Sequence, residues 1–217
     1  MGNRAVITTK AGWQDKERNL GIYLHWNGGR DSVEAFLKYC ELKGFRSPDK
    51  DCYGWARLCQ VAANFFGGGL SIGIDTVSKL DYDNWDNGVY IIEDWQIVGR
   101  ECFEDEDCEQ DTYPLTEMLM AIDECQPRKE QLGPDFLQAE EIPVSELKVG
   151  QFIYFQETDG SYSRLQVVGI GEDKFVNGSN VKGIPFVNNY GREENGITDY
   201  SWNTNNYIKT ETIRVCK

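Results

Sequence analysis

Helical periodicity in this chain stops early: three amphipathic stripes lie before residue 126, and after Pro143 only short runs of alternating residues remain. The first stripe is Val33, Phe36, Leu37 and Cys40, the i, i+3, i+4, i+7 spacing of one buried helix face. Asp31 and Glu34 form a capping-box-like pair at its start, and Gly44 is a natural stop. The second helix is predicted from about Cys52 to Phe66, with Asp51 near its N-cap and Gly67, Gly68 and Gly69 ending it. The third, PLTEMLMAIDEC, opens at Pro114. Residues 3–9 and 20–26, then LSIGI, VYII and QIVGR, read as strands. In the second of these, Ile22, Leu24 and Trp26 share one face, and Tyr23 and His25 share the other.

This pattern predicts an α+β fold in two domains. Residues 1–139 form an acidic α+β domain, a mainly antiparallel sheet with about three helices. Residues 140–217 form a small all-β domain, an SH3-like barrel, from strands at Phe152–Gln156, Tyr162–Ile170, Lys174–Val176, Val181–Phe186 and Tyr207–Val215.

The formal charge is −14, which disfavours direct contact with nucleic acid or an anionic membrane. No apolar run is long enough to span a bilayer, and MGNRAVITTK carries neither a signal-peptide core nor a myristoylation pattern, since Val6 stands where Ser or Thr is needed. The seven cysteines form no CxxC, and a single histidine cannot complete the common zinc patterns. Reduced thiols, a cytoplasmic setting in a bacterial host cell, no metal and no cofactor are the expectation.

The charge is concentrated. Residues 75–124 hold 16 acids against Lys79 and Arg100, and the rest of the chain balances. Two clusters stand out: Asp81, Asp83 and Asp86, then Glu104, Asp105, Glu106, Asp107, Glu109 and Asp111. Such a surface suits solubility, or else a basic partner whose groove receives a line of negative charges. DYDNWDNG approaches a calcium loop, but Trp85 occupies a ligand position and the glycine falls two places late.

Three stretches suggest chemistry. Gly28, Gly29 and Arg30 join a strand to a helix N-terminus, a geometry that presents amides to phosphate; no full phosphate-loop motif is present, and Asp31 and Glu34 compete for those amides. GLSIG matches a nucleophile elbow on paper, but the elements run helix, glycines, strand, the reverse of what that motif needs. DCYGWARLC resembles the DCSG helix start of NlpC/P60-type cysteine peptidases, which implies Cys52 as nucleophile and His25 as its partner in permuted order; Tyr53 replaces the serine. The polar loop Asn188–Tyr207, with Tyr190, Tyr200 and Trp202, has the composition of an adaptable ligand or partner surface.

At NRAVIT, YLHWNGGRDSVEAFL, YGWARLCQ and NNYIKTETIRV, the chain resembles a group of uncharacterised proteins of phages and integrative elements of Gram-positive bacteria. The resemblance implies a genomic setting, in which small acidic proteins often inhibit host defence, and carries no catalytic residues. The leading expectation is a non-enzymatic inhibitor of a basic, nucleic-acid-handling host protein, of the anti-CRISPR or anti-restriction kind, acting as a nucleic-acid mimic. Its acidic clusters would form the contact, and its second domain would dock or form a homodimer. The alternatives are a cysteine hydrolase using Cys52 and His25, and a protein that sequesters a small ligand such as a nucleotide.

Overall fold

A computed structural model describes residues 3–67, 71–102, 113–156, 162–170, 175–179, 206–209 and 212–216. The chain divides into two compact units, 1–131 and 132–217. The class is α+β.

The first unit holds five strands: β1 (Ala5–Thr9), β2 (Leu20–Leu24), β3 (Ile72–Thr76), β4 (Val89–Glu93) and β5 (Gln96–Glu101). Four helices accompany them: α1 (Lys10–Gln14), α2 (Arg30–Leu42), α3 (Cys52–Phe65) and α4 (Leu115–Glu124). The sheet order is β3-β2-β1-β4-β5. The sheet is mainly antiparallel, as expected, but mixed: its central pair, β1 and β4, runs parallel, Ile7 beside Tyr90, and the other three pairings are antiparallel. Residues 77–88 carry the chain from the end of β3 back to the end where β1 starts, so β4 sets off in β1's direction. Strand periodicity reports which side chains share a face, not which way the neighbour runs.

Ile7, Ile22, Leu24, Tyr90 and Ile92 are buried, and the register places them on one face. The predicted stripe of α2 is buried, and Phe36 meets the rings of Phe65 and Phe66 at the end of α3. Helix α3 starts where its cap predicts, with the Asp51 side chain accepting from the Tyr53 amide at 2.8 Å. The capping box at α2 is corrected. Gly29 is the N-cap, Asp31 lies inside the first turn, and Glu34 pairs with Arg30 at 2.7 Å. The short α1 was not legible, because five residues give no period to read.

The second unit holds a short α5 (Pro134–Leu137) and six strands: β6 (Glu140–Pro143), β7 (Phe152–Gln156), β8 (Tyr162–Ile170), β9 (Phe175–Ser179), β10 (Asn206–Lys209) and β11 (Thr212–Val215). Their order is β10-β9-β8-β7-β11-β6, and every pairing is antiparallel. Among the described residues the sheet is open, with β10 and β6 as its edges. The single strand expected over Tyr207–Val215 is two: β10 pairs with β9, whereas β11 lies between β7 and β6. The strand expected at Val181–Phe186 lies outside the described residues. Val144, Leu147, Ile153, Leu165, Val167 and Ile213 form this unit's own core.

Candidate partner-binding surface

One end of the first sheet gathers charge and aromatic surface. Here β1 begins after Arg4, β2 runs out through His25 and Trp26, β4 begins and β5 ends. The loop 81–88 is fixed to this end by its asparagines. Buried Asn84 donates through Nδ2 to the carbonyls of Asp81 and Gly88, at 3.0 and 3.2 Å. Its Oδ1 accepts from the amides of Asp86 and Gly88, both at 3.1 Å. Asn87 donates through its amide and its Nδ2 to the Arg4 carbonyl, at 3.0 and 3.1 Å. Gly88 has φ +67°, and a Cβ there would lie 2.0 Å from the Glu101 carbonyl oxygen, so the loop meets the end of β5 backbone to backbone.

Arg4 is the hub of the first acidic cluster. Its backbone amide and Nε donate to Asp86 Oδ2 at 3.0 and 2.7 Å, and its Nη1 reaches Asp81 at 3.3 Å. Burial pushes the Asp86 carboxyl up, but the hydrogen bonds from Arg4 and its positive charge outweigh this and hold it below the usual carboxylate range. Asp83 is exposed. Two of the three carboxylates are thus already engaged by one guanidinium, which leaves the cluster negative.

The second cluster, Glu104, Asp105, Glu106, Asp107, Glu109 and Asp111, lies outside the described residues, but both of its flanks are placed. Cys102 follows Glu101 against Gly88. On the far side, the Tyr113 amide donates to Asp31 Oδ2 at 3.1 Å, in the first turn of α2. The corner before α2 packs onto the start of β1, with the Gly28 amide donating to the Asn3 carbonyl at 2.8 Å. Both acidic stretches therefore connect to the same end of one sheet. Three large aromatics stand exposed on the segments there: Trp26 at 46%, Tyr113 at 53% and Trp85 at 62%. Trp85 also has φ +56°, a backbone state rare for so bulky a residue. Sequence reading missed this presentation of Trp26 and Trp85, since nothing in the local pattern marks an exposed tryptophan or a left-handed backbone.

The Gly28–Gly29–Arg30 corner is a tightly packed connection. Asp31 Oδ1 accepts from the Ser32 amide at 2.6 Å, the Val33 amide donates to the Gly29 carbonyl at 3.0 Å, and Arg30 turns to Glu34. A Cβ at Gly28 would fall 2.6 to 2.7 Å from backbone atoms of Asn3, Arg4 and Ala5, which accounts for the glycine by packing alone.

Cys52 is exposed at the first position of α3, beside the Asp51 carboxylate, which Arg46 also pairs at 2.6 Å. His25 lies just past β2 with Tyr23 and Trp26 as its ring neighbours. Among the described residues, no hydrogen bond joins Cys52 to His25. Tyr190, Tyr200 and Trp202 lie outside the described residues. Among those described, no group of three or more His, Cys, Asp or Glu side chains is arranged to hold a metal ion, and no helix is long and apolar enough to cross a membrane. No family model, curated protein or solved structure matches the chain.

Proposed function

We propose that this chain is a non-enzymatic binding protein whose acidic, aromatic sheet end engages a basic host protein, in the manner of an anti-defence inhibitor from a mobile element. The observation that carries the reading is convergence. Loop 81–88 is pinned to Arg4, and the flanks of 103–112 are pinned at Gly88 and Asp31, so the first acidic loop and both flanks of the second acidic stretch meet at one end of the sheet. Exposed aromatics among carboxylates suit a protein partner: aromatic side chains anchor interfaces, and the charge steers the encounter and selects a basic surface. A nucleic-acid-handling defence enzyme presents such a surface, which the acidic end would occupy as a nucleic-acid mimic in the bacterial cytoplasm. The resemblance to phage and integrative-element proteins supports the same setting.

The second unit is proposed to be SH3-like and to serve docking or dimerisation. What supports this is strand order: β7, β8, β9 and β10 form a meander, and β11 returns antiparallel beside β7. The nine-residue β8 shifts register between Val167 and Gly169, the kind of irregularity that bends a long strand from one side of a small barrel to the other.

The test is neutralisation. A variant carrying E104Q, D105N, E106Q and D107N is expected to lose a partner that the parent chain captures from bacterial lysate. Equal capture by both would contradict the reading.

A further inference from the structure

The face of the sheet opposite Ile22 and Leu24 carries an open shelf at the β3 edge. Tyr23 and His25 project on this face, and Trp26 follows them. The three rings form a connected step: Tyr23 and His25 centroids lie 6.2 Å apart at 62°, and His25 and Trp26 lie 5.1 Å apart at 82°. The Tyr23 hydroxyl lies 3.3 Å from His25 Nδ1. Beside this step the neighbouring strand has no side chain, because Gly73 is the register partner of Tyr23. A Cβ at Gly73 would meet only Tyr23, at 3.6 Å, in ordinary contact, so among the described residues the floor is open. β3 is the sheet's edge, with no strand paired to its outer side among the described residues.

The shelf borders the Arg4 cluster. After burial, the Asp81 carboxylate is the largest influence raising the Tyr23 pKa, with Arg4 opposing it, so both groups lie near the phenol. Asp81, Asp83 and Asp86 set three carboxylates against the one guanidinium of Arg4. A step of aromatic rings set edge to face beside an open floor, next to surplus negative charge, offers single ring faces to a planar cation: a guanidinium stacks on a ring face and offers forked donors to a carboxylate, which an ammonium does not. A nucleotide's phosphate would meet the same carboxylates and be repelled.

We infer that the Gly73 shelf, bounded by Tyr23, His25 and Trp26, is the seat of an arginine side chain of the basic partner. This rests on the binding reading above and gives that partner a specific contact.

The test is titration of the full chain with an oligoarginine peptide, a matched oligolysine peptide and a mononucleotide, read by tryptophan fluorescence and calorimetry at low salt. Oligoarginine is expected to bind more tightly than oligolysine, and G73V and W26A are each expected to weaken it by about tenfold. Valine suits a strand, and a Cβ at position 73 meets only ordinary contacts, so a melting curve should show G73V folded; W26A alters an exposed side chain and serves as the independent variant. Unchanged arginine affinity in both variants, with loss in D81N/D83N, overturns the shelf and leaves the acidic sheet end standing. Unchanged affinity in all of these variants overturns both. Binding of the mononucleotide in place of the peptide overturns the assigned occupant.

Discussion

Tyr39 on α2 and Asp123 on α4 are both buried, and the tyrosine hydroxyl donates to Asp123 Oδ1 at 2.6 Å. Burial, followed by this hydrogen bond, pushes the Tyr39 phenol far above its ordinary range, so it stays a neutral donor at any working pH. D123A strands a buried hydroxyl and is expected to cost about 1–3 kcal/mol in urea unfolding, with D123N costing less because it keeps an acceptor. Equal losses would contradict this. Asp86 supplies a pH-dependent contribution. Its folded pKa lies below that of an unfolded aspartate, so its stabilisation is present at neutral pH and disappears as pH falls through the folded value, beginning at about pH 4. D86N should therefore flatten the acid limb of the stability profile, and parallel limbs for parent and variant would refute the Arg4–Asp86 account. At this scale the acids were legible as composition, but not their partners. Arg4 and Asp86 are 82 residues apart, and no local spacing joins them.

The three long helices were readable because each carries an apolar stripe with a start signal beside it, as Asp51 does for α3. The β4–β5 hairpin was readable as two strands, but its turn was not. Asp94 and Trp95 both have positive φ, at positions where Asn-Gly is usual, and Trp95 is held there by burial and by a 2.7 Å hydrogen bond from its Nε1 to the Phe45 carbonyl. The parallel direction of β4 was likewise hidden, because it follows from the return path of residues 77–88 and not from anything within the strand. That path closes on Gly88, where any side chain meets the β5 backbone. G88A is expected to cost at least about 2 kcal/mol, read as a lowered thermal midpoint together with loss of the ordered loop 81–88. A neutral G88A would mean that the loop is not fixed against β5.

Across the whole molecule, the charge pattern and the fold support each other. The acids of loop 81–88 and the residues that flank 103–112 are brought by the topology to one sheet end, at the strand terminus where Arg4, Gly88 and Asp31 hold them. The concentration of −14 in 50 residues was legible; the convergence was not, because it depends on β1, β4, β5 and α2 all opening or closing at the same place. The claim that this end binds a basic partner is tested most directly by capture from nuclease-treated bacterial lysate over a salt series. A basic, nucleic-acid-handling protein held at low salt and released at high salt is the predicted result, since exposed charges are screened within a few ångströms at about 1 M ionic strength. Capture that ignores salt, or no captured protein at all, would contradict it.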